Sequence, residues 1–162
     1  MSWGTLPLAA TALTVTVAVY AALVVLGNIT DFGTNQQFVR HVLAMDTTFK
    51  DPDLMWRAIE SPTLADIAYV AVIVWEAVAA ALLLTSGWLW CRALRRGGVD
   101  RARRAGTLGL VMLLLLFGLG FIGIGGEWFA MWQSENWNGL DAAIRVVTLA
   151  GITLIVTHLA KD

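Results

Sequence analysis

Four apolar runs dominate this chain and restrict what it can become. Leu6 to Gly27 carries no charge, Ile67 to Trp90 carries only Glu76, Ala105 to Gly126 carries none, and Ala142 to Ala160 carries Arg145 and His158. A helix needs about 20 apolar residues to cross the hydrocarbon core of a bilayer, and each run is near that length. Composition agrees. Of 162 residues, 58% are hydrophobic and 14% charged, against about 45–50% and about 25% in an average soluble domain. The expected fold is all-α: one integral membrane four-helix bundle over residues 1–162, with spans at about 6–27, 67–90, 105–126 and 142–160. The first run lacks a basic leader and exceeds the about 7–15 apolar residues of a signal peptide, so it reads as a retained span.

Basic residues set the expected orientation. Cys91 to Arg104 reads CRALRRGGVDRARR and holds six arginines. The connection Asn28–Asp66 has Arg40, Lys50 and Arg57 offset by six acids, and Glu127–Asp141 has no basic residue. The positive-inside rule then puts the arginine loop and both termini in the cytoplasm, with the other two connections outward. The same arginines suit anionic lipid head groups. A net charge of −1 gives no reason to expect nucleic acid. The lone Cys91 excludes an intrachain disulfide and a CxxC motif, and two histidines leave little for haem or zinc.

Gly118-Leu119-Gly120-Phe121-Ile122-Gly123 spells GxGxxG, the string of a dinucleotide site. That fingerprint follows a strand and opens a helix, whereas here VMLLLLF precedes it inside a span. The steric reading is better: small residues let helix backbones approach closely in lipid. Gly118, Ile122 and Gly126 share a helical face, which suits packing within the bundle or a homo-oligomer through the third span. The pair Gly125-Gly126 is expected to release the backbone before Glu127.

Glu76 stands about ten residues inside its run, about 15 Å deep at about 1.5 Å per residue. An acid at that depth is costly and should face the bundle interior, as a lock between helices or as a proton, ion or ligand contact. Tyr69 lies two turns outward on its face. Arg145 can pair locally with Asp141, or reach Glu127 or Glu76. His158, near a helix C-terminus, suits the helix dipole. Trp88 and Trp90 suit an interfacial belt.

The outer connections carry the rest. QQFVRHVLAM fits a short amphipathic helix, Asp51-Pro52-Asp53 a turn, and Leu54 to Ile59 a second short helix. EWFAMWQSENWNG sets Trp128, Trp132 and Trp137 among polar residues, as a belt or as the lid of a pocket. With Trp56 these form an expected outer aromatic cap. The cap, Glu76 and Arg145 are expected to make one polar cluster. His41, Asp46 and Glu127 over Glu76 offer metal-ligating groups, but their spacing matches no ligand motif. No cofactor motif and no nucleophile motif is present.

NITDFGTNQQFVRHVLAMDTTF, WRAIESP, the acid in VWEAVAA, and GGEWFAMWQSENWNG followed by Arg145 resemble a bacterial family of predicted small integral membrane proteins, a domain of unknown function. The resemblance covers nearly the whole chain. The family places an aromatic after TD, usually Tyr; here it is Phe32. The resemblance implies four spans in a bacterial cytoplasmic membrane and assigns no reaction, so it supplies no catalytic residue. The functional expectation is a non-catalytic accessory or interaction subunit of a larger membrane complex, respiratory or energy-transducing. Its competitors are a small transporter or lipid/quinone-binding protein using Glu76, and a membrane enzyme with an outward site. Expected partners are membrane lipid and a protein partner or second copy.

Overall fold

A computed structural model describes residues 4–160 of the chain. Five helices follow one another: α1 (Thr5–Thr30), α2 (Phe32–Ala44), α3 (Pro62–Arg96), α4 (Asp100–Trp128) and α5 (Leu140–Leu159). All but α2 are long and apolar enough to cross a membrane. They pack as an antiparallel ring, α1 on α3, α3 on α4, α4 on α5 and α5 back on α1. Each helix exceeds its apolar run at one or both ends, because local signals rather than hydropathy stop it. Ser61 caps α3 by accepting from the Leu64 amide at 3.4 Å, with Pro62 in the first turn. Gly97, at φ +75°, ends it in a backbone conformation that suits glycine.

The interior is built from small side chains. Ala18, Ala21, Ala79, Ala80, Ala143 and Ala150 are buried, joined by Leu83, Leu110 and Phe117. Large apolar side chains point outward, among them Leu23, Ile67, Val74, Leu108, Leu119 and Ile155. Such an inverted surface is stable only where hydrocarbon is the solvent. A close helix approach lies in the first half of α4. A Cβ on Gly109 would stand 2.7 Å from Leu83 Cγ and 3.0 Å from the Ala79 carbonyl, and one on Gly106 would stand 2.7 Å from Ser86 Oγ. Ser86 in turn donates to the Ala102 carbonyl at 2.7 Å.

The GxGxxG string does not make this approach; at Gly118 a Cβ would meet nothing within 4 Å. The reason is a change of helix type. From Leu115 to Trp128, α4 is a π-helix, ending with the Phe129 amide bonded to the carbonyl five residues back. Wider turns rotate side chains away from the faces that a 3.6-residue period assigns. Gly125-Gly126 also does not release the chain. Both are buried inside the π-helix, where Gly126 leaves room for Leu140 Cδ2 at 3.0 Å from its missing Cβ.

The two connections Asp31–Ser61 and Phe129–Gly139 interlock at one end of the ring, the cap end. Thr47 Oγ1 and Ser134 Oγ share a hydrogen bond of 2.8 Å, and the Phe49 amide donates to Gln133 Oε1 at 2.9 Å. Met45, Phe129 and Ala130 form a separate buried cluster there. The second expected short helix is only a 3-10 turn, Met55–Arg57. The arginine-rich turn between α3 and α4 lies at the opposite end. There Trp90 is 0% exposed inside a cluster with Ala10 and Ala102, whereas Trp88 is 60% exposed. Residues two apart lie about 200° around a helix, so only one of the two can face lipid; Trp90 is core, not belt.

Candidate functional site

Glu76 is 3% exposed and points into the ring. Its Oε2 accepts from Asn28 Nδ2 at 2.6 Å. Tyr69 hydroxyl donates to the Asn28 backbone carbonyl at 3.0 Å, an acceptor that the last turn of α1 leaves without a helical partner. Tyr69 and Glu76, seven residues apart on one face of α3, thus grip the end of α1 from two sides. Phe32 lies against Tyr69 at 4.8 Å between ring centroids. Below the carboxyl is a cavity of about 10 Å³, room for about one water, lined by Tyr20, Ala21, Val24, Leu113 and Phe117. Glu76 is therefore level with the last two turns of α1, not midway along it. The reason is that α3, at 35 residues about 50 Å long, runs past the end of α1 toward the cap.

Above this node, Arg40 on α2 holds Asp66 on α3 through two bonds of 2.9 and 2.8 Å, and Gln36 adds a third at 2.9 Å. The hydrogen bond to Asp66 raises the Arg40 pKa above its ordinary value. This clamp fixes α2 against α3. Asn28, Gln36, Arg40 and Asp66 escape sequence reasoning, since partners on different helices share no spacing.

The remaining expected residues divide. His41 Nδ1 meets Asp46 Oδ2 at 2.7 Å, and the imidazole stacks on Trp137 at 4.5 Å. Glu127 and Arg145 are exposed. Among the described residues, no hydrogen bond or ion pair joins Arg145 to Asp141, Glu127 or Glu76. The expected single polar cluster thus divides: Glu76 stands with Asn28 and Tyr69, His41 with Asp46, and Glu127 and Arg145 are each exposed on their own elements. A long arginine stem close to a helix end reaches toward the interface, so Arg145 does not require a partner inside the ring. No three His, Cys, Asp or Glu side chains among the described residues converge enough to hold a metal ion.

The expected aromatic cap divides into two aromatic pairs and Trp137, which lies apart from them against His41 and Phe38. Trp56 and Trp128 meet edge-on at 5.5 Å, with the Arg57 guanidinium 5.6 and 4.7 Å from their centroids. Phe49 meets Trp132 at 5.9 Å. Met45 and Ala130 are both buried at positive φ, 52° and 51°. Packing holds these residues in a region that costs about 1–2 kcal/mol outside glycine.

Beneath the cap runs a lateral groove of about 310 Å³ between α2, α3 and the π-helix. Phe38, Val42, Val72, Leu116, Phe121 and Met131 are among its walls. It adjoins the Glu76 node without merging with it. Val72 lines the groove one turn from Glu76, and Leu116 lines it beside Phe117 of the small cavity. The π-helix contributes to both linings, Leu116 and Phe121 to the groove and Phe117 to the small cavity, and helices of this type recur at functional positions.

No curated protein and no solved structure matches this chain. Residues 6–160, nearly the whole chain, match one family, and the protein belongs to it: DUF2165, described as a predicted small integral membrane protein.

Proposed function

We propose that this integral membrane protein is a binding protein rather than a catalyst, and that the groove beneath the cap receives the apolar chain of a lipid or quinone-class molecule. One observation carries the reading. The groove of about 310 Å³ lies within the range of small-molecule pockets, about 300–1,000 Å³ and mostly apolar. Its walls come from three elements: the Arg40–Asp66 clamp fixes α2 against α3, and the Trp75–Met112 hydrogen bond ties α3 to α4 close to where the π-helix begins. On this reading Glu76 positions helices and the groove binds. The membrane is the bacterial cytoplasmic membrane, with the arginine end inside.

A second reading, an accessory subunit or homo-oligomer, is favoured by Arg145. It stands exposed on α5 without a partner among the described residues, and an acid on a neighbouring chain would complete it. The open side of the π-helix at Gly118 offers close approach nearby in the same membrane.

One purification separates the two. The protein is extracted in mild detergent and its bound small molecules are analysed by mass spectrometry. The binding reading expects a stoichiometric apolar molecule, reduced at least about tenfold by Val72→Trp, which fills the groove, while the melting temperature stays near that of the parent. A stoichiometric protein partner with an empty groove selects the second reading. A ligand-free monomer overturns both.

A further inference from the structure

At the end opposite the cap, a cavity of about 350 Å³ opens between the last turn of α3 and the first of α4. Arg92, Arg96 and Arg101 line it, with Leu89 as part of its apolar floor. Gly97 and Gly98, at φ +75° and +85°, make the turn, and a Cβ on either would meet nothing within 4 Å, so the mouth is open. Asp100 also lines the cavity, but its carboxylate is engaged by Arg103 at 3.1 Å. Arg103 is itself committed further, donating to the carbonyls of Thr157 and Ala160 and tying down the end of α5. Asp100 and Arg103 cancel. Among the described residues, Arg92, Arg96 and Arg101 have no hydrogen bond or ion pair.

Topology alone does not explain this arrangement. Positive-inside orientation counts basic residues near a span and is indifferent to where they point. Three uncompensated guanidiniums around one cavity repel one another, and an anion relieves that repulsion. Guanidinium forks suit phosphate oxygens in particular. The cavity also has an interfacial address. Trp88 is exposed, with the Arg92 guanidinium 5.6 Å from its ring centroid, and Leu89, packed against the Trp90 cluster, gives the cavity an apolar lining. A ligand with a phosphodiester head and an acyl tail satisfies both halves.

We propose that Arg92, Arg96 and Arg101 form a binding site for the phosphate of an anionic phospholipid. The site is independent of the groove beneath the cap and stands if that groove proves empty.

Native mass spectrometry of the full chain, released from detergent with phosphatidylglycerol or phosphatidylcholine added, tests it. Stoichiometric retention of phosphatidylglycerol over phosphatidylcholine is expected. Arg92→Gln/Arg96→Gln should lower that retention about tenfold or more. Arg95→Gln/Arg104→Gln, which removes the same charge from exposed arginines outside the cavity, should change it less than about twofold. Equal losses in the two doubles would reduce the effect to general charge and overturn the site, as would indifference between the lipids. Displacement by millimolar inorganic phosphate would identify a free-anion site and overturn the lipid assignment. Should the first double fail to fold, Arg101→Gln alone gives the same comparison.

Discussion

Asn28 does two jobs with one residue. Its side chain holds the Glu76 carboxyl and its carbonyl takes the Tyr69 hydroxyl. Asn28→Leu removes the donor and leaves a buried acid side chain without it. Interhelical hydrogen bonds in membranes contribute about 0.6 kcal/mol on average and up to about 1.7 kcal/mol, so a loss in the upper part of that range is expected in detergent unfolding. Glu76→Gln keeps an oxygen to accept from Asn28 and should stay within about 0.5 kcal/mol of the parent. A double-mutant cycle of Asn28→Ala and Glu76→Ala with zero coupling would show that the bond contributes nothing. Burial of Glu76 was legible in the sequence because an acid in a span has few other places to go. Its partner was not, because level depends on how far α3 overshoots α1, and no single run encodes that. Arg145 shows the converse: Asp141 four residues away invites a pair, yet proximity along a helix does not compel one.

Within α4 the two halves use glycine differently. In the α-helical half, Gly109 lets α3 approach, and a side chain there must displace Leu83 and press on the Ala79 carbonyl. Gly109→Ala is expected to destabilise by about 1–3 kcal/mol, the usual effect of overpacking. In the π-helical half, Gly118→Ala meets open space and should remain within about 1 kcal/mol of the parent. Thermal melts of the two variants in one detergent decide this, and equal losses would contradict the assigned packing. Existence of α4 was legible from its apolar run; its change of coil was not. The faces given to Gly118, Ile122 and Gly126 assumed 3.6 residues per turn, and that assumption ends at Leu115. Trp75 Nε1 donates to the Met112 carbonyl at 2.9 Å, close to where the coil widens. That anchor joins helices 37 residues apart, beyond the reach of any local pattern.

For the molecule as a whole, the ring makes orientation a single choice. All neighbours are antiparallel, and the interlocked connections form one cap, so fixing the side of any one connection fixes every other. The arginine distribution argues that the cap faces outward. The chain supplies its own reporter, since Cys91 is exposed at the arginine end. In intact cells, a membrane-impermeant thiol reagent is expected to leave Cys91 unmodified until the membrane is opened. In a Cys91→Ser background, Glu135→Cys, at an exposed cap position, should react without opening. Reversal of the two results would invert the molecule, placing the three cavity arginines on the outer leaflet and the groove toward the cytoplasm. Modification of both sites in intact cells would deny that cap and arginine turn lie on opposite sides, which no rotation of this ring allows.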